Sequence, residues 1–253
     1  FIFNIYNLPL KHLSILIFIM IAHGSAFPVA KLALNNSVPP ILMASLRMGL
    51  VCLILVPFWK FKLPEKKYLK SLVFFSFSMG VFVYAFMNLS LFNSSIIAPI
   101  ILGSQLAIPF GILASALILN ENISKNKWIL IFTSFLGITI IFFDPKLTEN
   151  YLGLFFGLAQ VYSRQLKDLP TSMINASTGL FGFIILLIVS FFLEGNVIYN
   201  FTQINYDSWL LISYQAIIVS LCAHLLMFYL YKFYTVGRIF PFYSLFPIFG
   251  IIL

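Results

Sequence analysis

Charge is what this sequence has least of. Only 9% of its 253 residues are Asp, Glu, Lys or Arg, and just seven are acidic. Soluble domains carry roughly a quarter charged residues, so an ordinary water-soluble enzyme or binding module is excluded. Cysteine is almost as scarce. Cys52 and Cys222 each lie inside an apolar stretch, where a thiol behaves as a small hydrophobe. That excludes a disulfide framework and a cysteine-based metal spacing. What remains is apolar: 61% of the residues, with a mean hydropathy of +1.03. Such a composition also excludes a disordered chain. The net charge of +8 sits in short clusters between apolar runs, as expected where loops meet anionic lipid. It therefore implies a lipid bilayer as partner and no nucleic acid.

Nine apolar spans follow in order, at 12–34, 40–59, 70–92, 96–119, 127–143, 151–166, 172–193, 208–231 and 239–253. In hydrocarbon only helices and closed barrels satisfy their own backbone. Barrel strands would alternate apolar with polar residues, whereas the run from Phe181 to Ile188 does not. The fold class is thus all-α, a polytopic membrane protein. Of 15 Lys and Arg, all but Lys31, Arg47 and Lys146 fall at the end shared with the N-terminus. This alternation predicts a cytoplasmic N-terminus. No loop is long enough for a soluble domain. The run 1–10 lacks the basic leader and small-residue cleavage site of a signal peptide, and Phe1 in place of Met points to a start outside this sequence. Two spans are abnormal. From 151 to Arg164 there is about 20 Å of helix, and the last span has about 22 Å in hand, against a core of roughly 30 Å.

A family pattern is carried by ordered motifs. Ala22-His23-Gly24-Ser25-Ala26-Phe27-Pro28-Val29-Ala30-Lys31 precedes Pro39-Pro40 and Ala44-Ser45-Leu46-Arg47. Further on come Leu119-Asn120-Glu121-Asn122-Ile123-Ser124, Gly137, Gly153, the pair Ser163-Arg164, and Pro241 to Gly250. This set resembles the EamA-type transporters of the drug/metabolite transporter superfamily. His23 stands where that pattern usually has Trp, and Asn120 where it has Gly. The resemblance implies ten helices in two inverted five-helix repeats around a midplane site. Here the first repeat would be 12–143 and the second 151–253, with a shortened sixth helix and no tenth. It also implies a multi-pass protein of the bacterial inner membrane, either monomer or homodimer. Overlaying 85–111 on 227–253 pairs Phe86 with Phe228, Ile97 with Ile239 and Pro99 with Pro241.

Polar side chains at membrane depth are costly and so point to a translocation path. His23, Tyr84, Asn88, Gln105, Gln160 and His224 are the candidate substrate-binding residues. The plain alternative for the amides is interhelical hydrogen bonding. Arg47, about 10 Å into its span, is expected to snorkel outward or to bind a helix C-terminus. All Asp and Glu lie in loops or at span ends, which argues against a buried carboxylate relay. With no HExxH, GxSxG or paired carboxylates, no catalytic residue, metal or cofactor is expected. The leading function is secondary transport of a small-molecule substrate, a polar metabolite such as an amino acid or a derivative. The Gly103-Ser104-Gln105 region is similar to that of O-acetylserine/cysteine exporters in the family. Alternatives are import of a nucleotide-like cofactor such as S-adenosylmethionine, a nonfunctional remnant, or an intramembrane enzyme.

Overall fold

The structure is a computed structural model that describes residues 8–58, 64–119 and 161–252, together with 124, 128–129, 132–133, 155 and 158–159. Six of its helices are long and apolar enough to cross a membrane. They are α1 (Leu10–Asn35), α2 (Pro40–Leu55, extended by a tight turn over Val56–Phe58), α3 (Lys66–Asn93), α4 (Ala98–Leu119), α5 (Thr171–Leu193) and, after the short α6 (Val197–Thr202), α7 (Tyr206–Tyr231). The all-helical, polytopic architecture is that expected from the sequence. Most of the fifth span and half of the sixth, Gln160 included, lie outside the described residues.

The ninth span differs from a single helix. It breaks into Val236–Ile239, a 3₁₀ stretch Phe240–Leu245 and a final helix, α8 (Phe246–Ile252). Proline lacks the N–H that an α-helix needs, and Pro241 and Pro247 stand at the two junctions. The fourth span has a milder break at Gln105 and Leu106.

Between helices surrounded by lipid tails there is little hydrophobic driving force, so close backbone packing has to do more. Glycine permits it here. A Cβ on Gly182 of α5 would stand 2.5 Å from the carbonyl oxygen of Gly80 on α3. One on Gly24 of α1 would stand 2.7 Å from the carbonyl oxygen of Phe246 and 2.9 Å from the amide nitrogen of Gly250 on α8. These contacts draw α5 onto α3, and α8 onto α1, with a glycine at each closest approach.

Polar contacts tie off both ends of the bundle. At the end where α1 begins, His12 Nδ1 lies 2.6 Å from the Tyr234 hydroxyl. At that end too, Ser71 donates to Gln165 at 2.5 Å, and Arg164 donates to the Tyr231 carbonyl at the end of α7. At the opposite end, Lys31 Nζ donates to the carbonyls of Leu91 and Ser94 at 2.8 and 2.7 Å, closing the C-terminus of α3. Also there, Glu194 accepts from the N–H groups of Ile41 and Leu42 at 2.6 and 2.8 Å. Because Pro39 and Pro40 have no N–H to offer, these are the first free donors of α2, and a carboxylate suits a helix N-terminus. Ser190 steadies the same carboxylate at 2.6 Å. The chain then leaves α5 through Gly195, whose φ of +81° is the left-handed geometry that glycine adopts freely.

Candidate functional site

The polar residues of the interior gather where α2 passes between α3 and α7. Arg47 is 1% exposed, so it neither snorkels nor caps a helix, which corrects the sequence expectation. Its Nε donates to Ser220 Oγ at 2.7 Å and its Nη1 to Gln215 Oε1 at 2.5 Å. The guanidinium lies over the Tyr84 ring, 4.1 Å from the centroid, a cation–π geometry that strengthens as water is excluded. Ser220 passes the hydrogen bond on to the Tyr84 hydroxyl at 3.2 Å, and Gln215 Nε2 donates to the Ala26 carbonyl of α1 at 2.6 Å. Among the described residues the one ion pair is Lys67–Glu65, at 2.9 Å. No carboxylate there answers the charge of Arg47.

The local backbone explains this convergence. Gln215 and Ser220 are five positions apart, which on an α-helix separates two side chains by about 140° at 3.6 residues per turn. Gln215–Cys222 is instead wound as a π-helix, whose i→i+5 repeat brings residues five apart back to one side. Both side chains therefore meet the same guanidinium. A second π-helical stretch, Ser76–Val83 in α3, ends immediately before Tyr84. Such wide turns are uncommon and concentrate at functional sites.

A cavity of about 40 Å³ opens beside Arg47, lined also by His23, Ala26, Phe27, Met79, Val83, Tyr84, Met87, Ser104, Val219 and Phe246. At ~10–15 Å³ per water centre, it has room for a few waters. The His23 and His224 rings stand 5.8 Å apart, and His23 Nε2 is 3.4 Å from the Tyr243 hydroxyl. His224 borders two smaller cavities of about 10 Å³ each, one shared with Asn175, Thr178 and Ser220, the other with Ser163 and Met227.

Of the candidate residues, the structure brings His23, Tyr84 and His224 together. Asn88, 0% exposed, lies nearer the far end, where its Nδ2 donates to the Pro40 carbonyl at 3.0 Å and its Oδ1 has no partner among the described residues. That places it at the start of α2, away from the cavity. Gln105 stands half-buried at the break in α4, its Nε2 without a partner among the described residues, and it does not line the cavity beside Arg47. The sequence reading missed Gln215 and Ser220 as site residues, although each is a polar group deep in an apolar helix. It also expected Arg47 to reach outward or to a helix C-terminus rather than to side chains of α7.

No three His, Cys, Asp or Glu side chains gather to hold a metal among the described residues. The arrangement offers an oriented cation, the His23 imidazole and hydroxyls around a largely apolar space, with His224 bordering the smaller cavities. The profile of the EamA-like transporter family matches residues 10–143 and 151–253. No curated protein matches the chain.

Proposed function

Because the chain belongs to the EamA-like transporter family, we propose that it is a secondary transporter carrying a small polar metabolite by alternating access. The observation that carries this reading is the cavity beside a buried Arg47, which pairs with no carboxylate among the described residues, midway along six membrane-length helices. A charge at that depth costs ~2.5–3.5 kcal/mol on insertion scales, so its retention calls for a use. Efflux of an amino acid or a derivative across the bacterial inner membrane, with the N-terminus cytoplasmic, is the form we favour. The lysine-rich end supports that orientation, and the resemblance at Gly103-Ser104-Gln105 supports the substrate class.

Two inverted repeats, 12–143 and 151–253, fit several paired features. Both α3 and α7 carry an eight-residue π-helical stretch near mid-length. Lys31 closes the C-terminus of α3 at one end of the bundle, and Arg164 serves the C-terminus of α7 at the other. The fourth and ninth spans are both interrupted, each with proline near the start of a helical stretch, Pro99 and Pro241. An inverted pair of this kind lets one half rock against the other around a fixed site. Import of a cofactor such as S-adenosylmethionine fits less well, since its sulfonium would meet Arg47.

The test is flux from proteoliposomes loaded with labelled O-acetylserine, cysteine and their N-acetyl forms. The wild-type protein is expected to release at least one of these faster than empty vesicles do. His23→Ala and His224→Ala are expected to lower that release. Unchanged flux in both variants would remove the histidines from the path, and release of none of the solutes would overturn the export reading.

A further inference from the structure

We propose that the cavity recognises an organic monoanion, one carboxylate-type group on an apolar body, and rejects solutes that bring a free ammonium. The inference rests on the carrier reading and narrows its substrate class to derivatives whose amine is absent or acylated. Three observations carry it.

The first is how Arg47 is held. Gln215, Ser220 and the Tyr84 ring fix the guanidinium plane, and all three are neutral. A cation paired with a carboxylate has spent its field on that partner. One oriented by amide, hydroxyl and ring keeps its field for an incoming anion. Such preorganised, buried donors strengthen the charge-assisted hydrogen bonds they make.

The second is what the walls lack. Among the described residues, the polar side chains lining the cavity are His23, Arg47, Tyr84 and Ser104, and none is a carboxylate. An α-ammonium in this space would find no counter-charge while sitting close to Arg47. Burying a charge without a partner is among the costliest things a binding site does. A zwitterion therefore loses through its amine what it gains through its carboxylate.

The third is the rest of the lining. Phe27, Met79, Val83, Met87, Val219 and Phe246 face the same space, and methionine adapts its shape to whatever body is present. Apolar walls around one oriented cation match a ligand with one charged end. Specificity of this kind comes from the group that is left unpaired when the wrong solute enters.

The experiment uses purified full-length protein in lipid nanodiscs and three probes on one carbon skeleton: isovalerate, its neutral amide isovaleramide, and valine. Affinity is read from ligand-induced shifts in thermal unfolding at pH 7.5. Isovalerate is expected to bind about tenfold or more tightly than either of the others, the discrimination typical of an oriented charge-assisted contact. Arg47→Gln is expected to abolish that preference, and Arg47→Lys to restore part of it, keeping the charge without the planar fork. Ser104→Asp leaves Arg47 and its partners in place and puts a carboxylate in the wall. It is expected to lose isovalerate and to gain isoamylamine, so the inference stays testable even if the arginine variants fail to fold. Equal binding of valine and isovalerate, no binding of isovalerate, or Arg47→Gln with its preference intact would each overturn the proposal. Selective isovalerate binding in a protein that moves no solute would sustain this inference while sinking the carrier reading.

Discussion

The helices α3 and α7 share one backbone device and put it to different use. In α3 the π-helical stretch is Ser76-Phe77-Ser78-Met79-Gly80-Val81-Phe82-Val83; it packs against α5 and gives the cavity only apolar wall, through Met79 and Val83. Gly80 lies directly against Gly182 of α5, and Ser76 Oγ meets Thr178 Oγ1 at 3.1 Å. In α7 the stretch is Gln215-Ala216-Ile217-Ile218-Val219-Ser220-Leu221-Cys222, and it holds Arg47. Its two polar residues turn inward to the same arginine. A wide turn by itself specifies neither role. What decides is whether the residues five apart are polar and whether a glycine stands in the turn.

The largest effect that would break this comparison lies on the packing side. Gly182→Val would drive a side chain into the Gly80 carbonyl. We expect a loss of about 3 kcal/mol or more, since overpacking against backbone has little room to relax. The readout is the fraction of protein that remains monodisperse after extraction from the membrane. A variant as stable as wild type would show that α3 and α5 do not meet through their glycines.

On the side that holds the arginine, Gln215→Leu leaves the Arg47 Nη1 group and the Ala26 carbonyl without this partner. We expect about 2–3 kcal/mol lower stability, because orphaned buried groups keep their desolvation cost, and solute flux reduced about tenfold. Thermal unfolding and proteoliposome flux measure the two separately. Stability lost with flux intact would make Gln215 a brace and nothing more.

Glu194→Gln tests a site outside the comparison, at the start of α2. The amide still accepts a hydrogen bond but loses the charge that suits the helix N-terminus, so about 0.5–1 kcal/mol is expected, read by thermal unfolding. Smallest of all should be Ser76→Ala. Interhelical hydrogen bonds in membranes average ~0.6 kcal/mol, and flux should stay at the wild-type level. A flux defect in Ser76→Ala would erase the division of labour between α3 and α7.

Much of the fold was legible because lipid imposes a simple rule. Apolar runs such as Thr171–Leu193 read as spans, and the clusters at Lys66, Lys67 and Lys70 mark ends. The site was legible in part. His23, Tyr84 and His224 stand out as polar groups at depth, but depth does not say which face of a helix a residue occupies. Asn88 shares that depth signal and still turns toward Pro40. Gln215 and Ser220 stayed hidden for a sharper reason: α-helical geometry places them on different faces, and nothing in the letters announces a π-turn. Arg47 was visible, but its partners lie 168 and 173 positions away. Glu194 read as a loop acid because its role exists only once α5 reaches α2.

The central claim is that solute sits beside Arg47 between α3 and α7. It is tested most directly by protection of a thiol placed in the cavity wall. In protein carrying Ser104→Cys, with Cys52→Ser and Cys222→Ser, alkylation by N-ethylmaleimide should stop flux, and excess isovalerate should slow the alkylation. Labelling that proceeds at one rate with or without isovalerate, and that leaves flux untouched, would contradict it.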